Sequence, residues 1–168
     1  QAEKKVLITL HRRETFGEEL DGLLSALQRL GNENPDVQFL FPVHPNPNIR
    51  KPVFEVLDGL SNFSLADPLD YPHVLWAMSQ ATVILTDSGG VQEEAPTLGI
   101  PLLVARKVTE RQEGVDAGVA KLVGTDEEVV YRAVKEVFNA PYRHGLANPY
   151  GDGLAAIRIV KHCESFLD

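Results

Sequence analysis

The chain has 168 residues, 43% of them hydrophobic and 24% charged, with a formal net charge of −8 and a single cysteine. This length suits one globular domain with a full core, and the acidic balance disfavours nucleic acid and anionic membranes, which both require basic surface. No apolar run approaches the ~20 residues that span a bilayer, no basic-then-apolar leader opens the chain, and Cys163 has no partner for an internal disulfide and no metal-ligand pattern around it; a cytoplasmic protein is expected.

Lys5–Leu10 (KVLITL) is a nearly continuous apolar run, as expected of a strand covered on both faces. From Phe16 to Leu30 apolar residues recur at spacings of three and four, which predicts an amphipathic helix stopped by Gly31 and Asn32. Val37–Val43 reads as a second strand, followed by a rigid Pro45–Pro47–Asn48 turn and a helix of roughly Ile49–Leu57. Asn62–Leu65 is a short third strand and Tyr71–Gln80 a helix. Thr82–Thr86, β-branched and apolar, is the strongest strand signal. Val91–Leu98 has room for a short helix ended by Gly99 and Pro101, before a strand at Leu102–Ala105. Val119–Val123 is a last strand, and Asp126–Phe138 and Gly153–Phe166 are helices.

Strands and helices alternate throughout, which predicts an α/β fold: a parallel sheet between two helical layers, as in Rossmann-like domains, with right-handed crossovers. Ligands of such sheets bind at the carboxyl ends of the strands near the point where strand order reverses. Here those are the loops after Leu10, Val43, Thr86 and Ala105. The cations His11, Arg12, Arg13, His44, Arg106, Lys107 and Arg111 fall in or just after them. In an acidic chain this placement suggests a small anionic ligand; ordinary surface ion pairing is the alternative.

Asp87-Ser88-Gly89-Gly90 is the sharpest feature. Ser88 can cap the following helix, while Gly89 and Gly90 let a phosphate approach the unpaired N–H groups of its first turn. A turn that needs small residues only for packing would look the same. Glu94 lies one helical turn beyond Gly90 and suits the paired hydroxyls of a ribose, whereas Glu93 is expected to point elsewhere. A solvated helical glutamate is the alternative.

His11 and the Arg12–Arg13 pair offer an acid or donor and rigid forks for phosphate; a helix-entry loop paired with acidic neighbours is the alternative. His73, His144 and His162 have no comparable placement. His44 is held between prolines and can stack or donate, although a Pro/Asn-rich turn needs no function. The segment from Arg106 to Glu113 has no periodicity and is expected to be mobile until a ligand orders it.

Taken together, HRRETFGE, PVHPNPN, PLDYPHVLWAM, ILTDSGGVQEEAPTLGIPLLV, TERQEG and NPYGDG resemble the non-hydrolysing bacterial UDP-N-acetylglucosamine 2-epimerases, in one order from Val6 to about Val160. The resemblance implies the second half of a two-domain enzyme of glycosyltransferase-B architecture, with the active site between the halves and the full-length enzyme a homodimer. It implies conversion of UDP-N-acetylglucosamine to UDP-N-acetylmannosamine through elimination and re-addition of UDP, without redox cofactor or metal. It places Ser88, Gly89 and Gly90 on the diphosphate, Glu94 on the ribose, Arg111 on the phosphates and His11, as catalytic residue, beside the departing UDP. Arg12 and Arg13 belong to the same UDP site, with uracil near the His44 loop and the segment from Phe63 to Pro68.

Three departures stand out. Leu10 replaces a usual Gly before His11. Lys107 and Gln112 replace Asp and Pro, which is expected to loosen that loop. The carboxylates that move the C2 proton belong to the family's amino-terminal domain, which is absent, and Gln1 in place of Met agrees with an excised piece. A non-catalytic UDP-binding module and a glycosyltransferase of the same architecture are the alternatives.

Overall fold

The computed structural model describes residues 3–12, 17–140 and 145–166. Six strands form one parallel sheet: β1 (Lys5–Thr9), β2 (Gln38–Pro42), β3 (Phe63–Ala66), β4 (Val83–Thr86), β5 (Leu102–Val104) and β6 (Ala120–Leu122). Their spatial order is β3-β2-β1-β4-β5-β6. The order reverses between β1 and β4, where Thr9 pairs with Thr86.

The helices are α1 (Glu18–Glu33), α2 (Pro47–Leu57), α3 (Tyr71–Gln80), α4 (Gly89–Leu98), α5 (Gln112–Asp116), α6 (Glu127–Asn139) and α7 (Ala155–Glu164). Alternate residues of each strand serve opposite faces of the sheet. Val6, Ile8, Phe39, Phe41, Val83 and Leu85 pack with the buried stripes of α1, α2 and α6. Leu7, Ile84, Leu102 and Val104 pack with Ala77 and Met78 of α3 and Val91 and Ala95 of α4. Each fully buried Leu or Val contributes about 1.5–3 kcal/mol. The three-layer fold is the one expected.

Two boundaries differ from expectation. The helix predicted from Phe16 is described from Glu18, Phe16 itself lying outside the described residues, and it runs through Gly31 to Glu33. Gly31 is a packing position, because a Cβ there would meet Phe63 Cε2 at 2.7 Å. The stop comes at Asn34, whose side chain donates to the Leu30 carbonyl at 2.7 Å. The second helix starts earlier than Ile49 because Asn46 caps it, accepting from the Asn48 N–H at 3.0 Å with Pro47 in the first turn.

Helix α7 stands apart. Every residue from Gly151 to Phe166 is exposed, including Ile157, Ile159, Val160 and Phe166. No helix among the described residues is long and apolar enough to cross a membrane.

Candidate functional site

The parallel strands bring the loops after β1, β2, β4 and β5 to one rim. Ser88, in extended conformation, caps α4, and its Oγ accepts a long hydrogen bond from the Val91 N–H at 3.5 Å. Its own N–H donates to Thr86 Oγ1 at 3.0 Å, which is in turn 2.6 Å from Thr9 Oγ1 across the strand switch. The N–H groups of Gly89 and Gly90 begin the helix and have no hydrogen-bond acceptor among the described residues. The positive end of the helix dipole adds to their attraction for an anion.

Arg111 lies directly over this turn: a Cβ on Gly89 would be 3.5 Å from Arg111 Nη2. Its Nε donates to Glu93 Oε1 at 2.5 Å. Glu93, expected to point elsewhere, therefore holds the rim arginine. Glu94 faces an adjoining cavity of about 540 Å³ that Tyr71, Leu75, Tyr150 and Arg158 also line. No protein partner for the Glu94 carboxylate occurs among the described residues.

His11 sits on the other side of the turn. Its Nδ1 is 3.0 Å from Asp87 Oδ1, and the backbone N–H groups of His11 and Arg12 donate to Asp87 Oδ2 at 3.0 and 2.9 Å. Asp87 is completely buried. Burial pushes its carboxyl upward, but the hydrogen bonds from the His11 ring and the two backbone amides outweigh it, and the net displacement is downward. The His11 ring is raised above its ordinary value of 6.5, chiefly by the hydrogen bond to Asp87, against opposing contributions from burial and Arg12. Asp87 stood in the motif without a role of its own; an acid at a strand end directly before a small-residue turn was the available signal.

His44 lies with its ring centroid 6.4 Å from that of His11. Its Nδ1 accepts from the Asn46 N–H at 3.2 Å, so its Nε2–H is directed away from the turn's backbone. Both histidines line a small, mostly apolar cavity of about 160 Å³, walled also by Leu10, Pro68, Leu69 and Val74.

Arg12 reaches Glu110 at 3.3 Å, and buried Arg106 grips the same carboxylate at 2.5 and 3.1 Å. The Arg106 bonds hold the Glu110 carboxyl down to about 2. The segment after β5 is thus anchored, and it enters the short helix α5, which lacked a sequence signal. Lys107 pairs with Glu19 at 2.6 Å and Gln112 Nε2 with Asp116 at 2.9 Å, so the two family departures are accommodated by local bonds.

A second unforeseen brace comes from the NPYGDG block. Asn148 Nδ2 donates to the Glu93 carbonyl and to Thr97 Oγ1, both at 2.8 Å. The Tyr150 hydroxyl donates to the Arg111 carbonyl and accepts from the Gly114 N–H, both at 2.9 Å. Both residues flanking the rim, Glu93 and Arg111, are therefore fixed by this block.

The structure gathers His11, Arg12, His44, Ser88, Gly89, Gly90, Glu94 and Arg111 at the carboxyl rim. Arg13 lies outside the described residues. Phe63 is not brought there and is withdrawn as a site residue: it begins β3 at the amino end of the sheet, stacked on Phe39 with centroids 4.4 Å apart. The far end of that segment, at Pro68 and Leu69, reaches the site instead. Among the described residues no group of three His, Cys, Asp or Glu side chains is arranged to hold a metal.

A family model described as UDP-N-acetylglucosamine 2-epimerase matches residues 1–164. The chain is 44% identical over 165 residues to a probable UDP-N-acetylglucosamine 2-epimerase of Ralstonia solanacearum, covering 96% of this chain and 44% of that protein. It is 46% identical over 162 residues to the Escherichia coli K12 UDP-N-acetylglucosamine 2-epimerase, covering 94% and 43%. The chain thus spans a little under half the length of these relatives. Among solved structures, it superposes on the Neisseria meningitidis 2-epimerase bound to UDP-GlcNAc with a TM-score of 0.92 at 39% identity, over 97% of this chain and 45% of that one. The Staphylococcus aureus MnaA–UDP structure gives 0.93 at 41%, over 98% and 46%. A heptosyltransferase of Escherichia coli solved with ADP, at 11% identity and a TM-score of 0.60 over 83% of this chain and 44% of that one, shares the fold. With its family match running almost end to end and its glycine turn, rim cations and buried carboxylate assembled at the strand switch, the chain belongs to the UDP-N-acetylglucosamine 2-epimerase family.

Proposed function

We propose that this chain is the UDP-binding half of a two-domain UDP-N-acetylglucosamine 2-epimerase of glycosyltransferase-B architecture, a cytoplasmic enzyme that works as a homodimer. The observation that carries the reading is the placement of Arg111 over the open N–H groups at the start of α4. Two anion-binding devices of different origin thereby face one point, as a diphosphate requires. Ser88, Gly89 and Gly90 hold the diphosphate, Arg111 exchanges its bond to Glu93 for one to phosphate, and Arg12 and Arg13 add positive charge. Glu94 accepts from the ribose hydroxyls. Uracil occupies the small cavity beside His44, Pro68 and Leu69.

In the whole enzyme a base from the amino-terminal half takes the C2 proton, the C1–oxygen bond to UDP breaks and 2-acetamidoglucal forms. UDP then adds back to C1 as a proton returns to the opposite face of C2. His11 supports the departing and returning diphosphate. The residues of this chain hold UDP and steady its charge; the C2 base lies in the other half, so the chain alone binds without turnover.

Calorimetric titration with UDP, UMP, ADP and UDP-N-acetylglucosamine, coupled to a C2 proton-exchange assay in deuterated water, tests this. Binding of UDP in preference to UMP and ADP, without exchange, is expected. No UDP binding at millimolar concentration would refute the site, and C2 exchange by the chain alone would refute the assignment of the base to the other half. Turnover that requires an acceptor sugar would favour a transferase.

A further inference from the structure

Asp87 is buried against a cost. A carboxylate removed from water is tolerated only when its oxygens are fully hydrogen-bonded. Among its donors, three come from one loop: the backbone N–H of His11, the backbone N–H of Arg12 and the Nδ1 of the His11 ring. Ring and main chain of His11 are thus tied to the same carboxylate, which fixes how the imidazole stands on the loop. The ring is held from one edge and remains partly exposed, 45% of its side chain being accessible.

This geometry determines what the ring can do. With Nδ1–H donated inward, a neutral ring leaves a lone pair at Nε2 and cannot donate to a phosphate oxygen. Only the protonated ring donates at both ends. We propose that Asp87 is a positioning residue that locks His11 with Nδ1 inward and Nε2 toward the diphosphate, and keeps the ring cationic when the diphosphate is bound. The inference rests on the reading of the rim as a UDP site.

The charged and titratable groups facing the ring are few among the described residues. Asp87 faces it from the β4–α4 turn, Arg12 from its own loop and His44 from the loop after β2. The Arg12 guanidinium reaches Glu110, and His44 Nδ1 is occupied by the Asn46 N–H. When the C1–oxygen bond breaks, its electron pair moves onto the β-phosphate oxygen, and the Nε2–H donates to that oxygen. On re-addition the oxygen gives its electrons back to C1 and the proton stays with His11.

The test uses two readouts. Long-range proton–nitrogen NMR of the histidine rings, on the ligand-free chain from pH 5 to 9, reports the His11 tautomer and titration without reference to UDP. In the wild type the neutral ring should be the Nδ1–H form, the minor form of a free imidazole, and should titrate above 6.5. In Asp87→Asn it should titrate at lower pH and shift toward the Nε2–H form. An Nε2–H ring in the wild type overturns the proposal, and this arm stands even if Asp87→Asn fails to fold; unchanged titration in a folded variant overturns it too.

UDP calorimetry over the same pH range supplies the second readout. Wild-type affinity should fall by up to roughly tenfold per pH unit above the ring pKa, and the fall should begin at lower pH in Asp87→Asn. Because both proteins see the same UDP, the ligand's own phosphate titration cancels. Superimposable pH profiles with normal binding refute the role of Asp87 and leave the UDP site intact. Absence of UDP binding beside the predicted NMR behaviour refutes the UDP site and leaves the Asp87–His11 lock.

Discussion

Removing the Tyr150 hydroxyl separates the brace from the fold. In Tyr150→Phe two hydrogen bonds disappear, to the Arg111 carbonyl and from the Gly114 N–H. Each contributes about 0.5–1.5 kcal/mol net. Water reaches this partly buried site, so the expected loss is about 1–2 kcal/mol, read by urea unfolding at unchanged m-value. UDP affinity should fall several-fold because the backbone beneath the Arg111 guanidinium is released. Gly114→Ala attacks the same contact from the other side, since the new Cβ would meet the Tyr150 hydroxyl at 2.5 Å. Such overpacking costs about 1–3 kcal/mol. In the Tyr150→Phe background that oxygen is gone, and Cζ at 3.3 Å yields with a small shift. The double mutant should then be about 1 kcal/mol or more better than the sum of the single losses. Strict additivity in stability, or UDP affinity untouched by Tyr150→Phe, would refute the brace.

Glu93→Gln removes the carboxylate that competes with phosphate for Arg111 and should tighten UDP binding by about two- to fivefold, measured by calorimetry; weaker binding would mean that Glu93 orients the arginine. Phe63→Ala should cost about 2–3 kcal/mol of stability through loss of the Phe39 stack, with UDP affinity unchanged, and a fall in affinity in the folded variant would reinstate it at the site. The raised His11 pKa makes a stabilising contribution that is fully present below the unfolded value of 6.5 and lost as pH rises through the folded value. The stability gap between wild type and His11→Ala should therefore narrow on going from pH 6 to pH 9 in urea titrations, and a gap that widens would contradict the Asp87 contact.

Periodicity and capping made most of the framework legible. The stripe of leucines gave α1, the apolar run before Asp87 gave β4, and Gly99, at φ 67 in the left-handed region, ends α4 where a glycine followed by proline was expected. The same logic failed at Gly31, because a helical glycine chosen for contact with Phe63 looks like a stop until its neighbour is known. The site was legible as a set of loops and not as a set of pairs. Asp87 and His11 are 76 residues apart, and their meeting depends on β1 and β4 being neighbours. Glu93 could be placed on α4 but not matched to Arg111, and Tyr150 reaches its partners from 36 and 39 residues away. Phe63 was placed by the segment it belongs to, yet the strand of four residues carries it about 10 Å from the end that matters.

Helix α7 bears on how the chain behaves in solution. Ten residues of helix with no face against the sheet have little to offset the cost of nucleation. The sheet and the Asn148–Tyr150 brace form one cooperative unit, and the chain beyond Gly151 should open on its own, with amide exchange close to that of a free peptide and early cleavage by protease near Gly151–Gly153. A trimmed product ending there should still unfold at the same urea midpoint, its melting set wholly by the six strands and the helices that cover them.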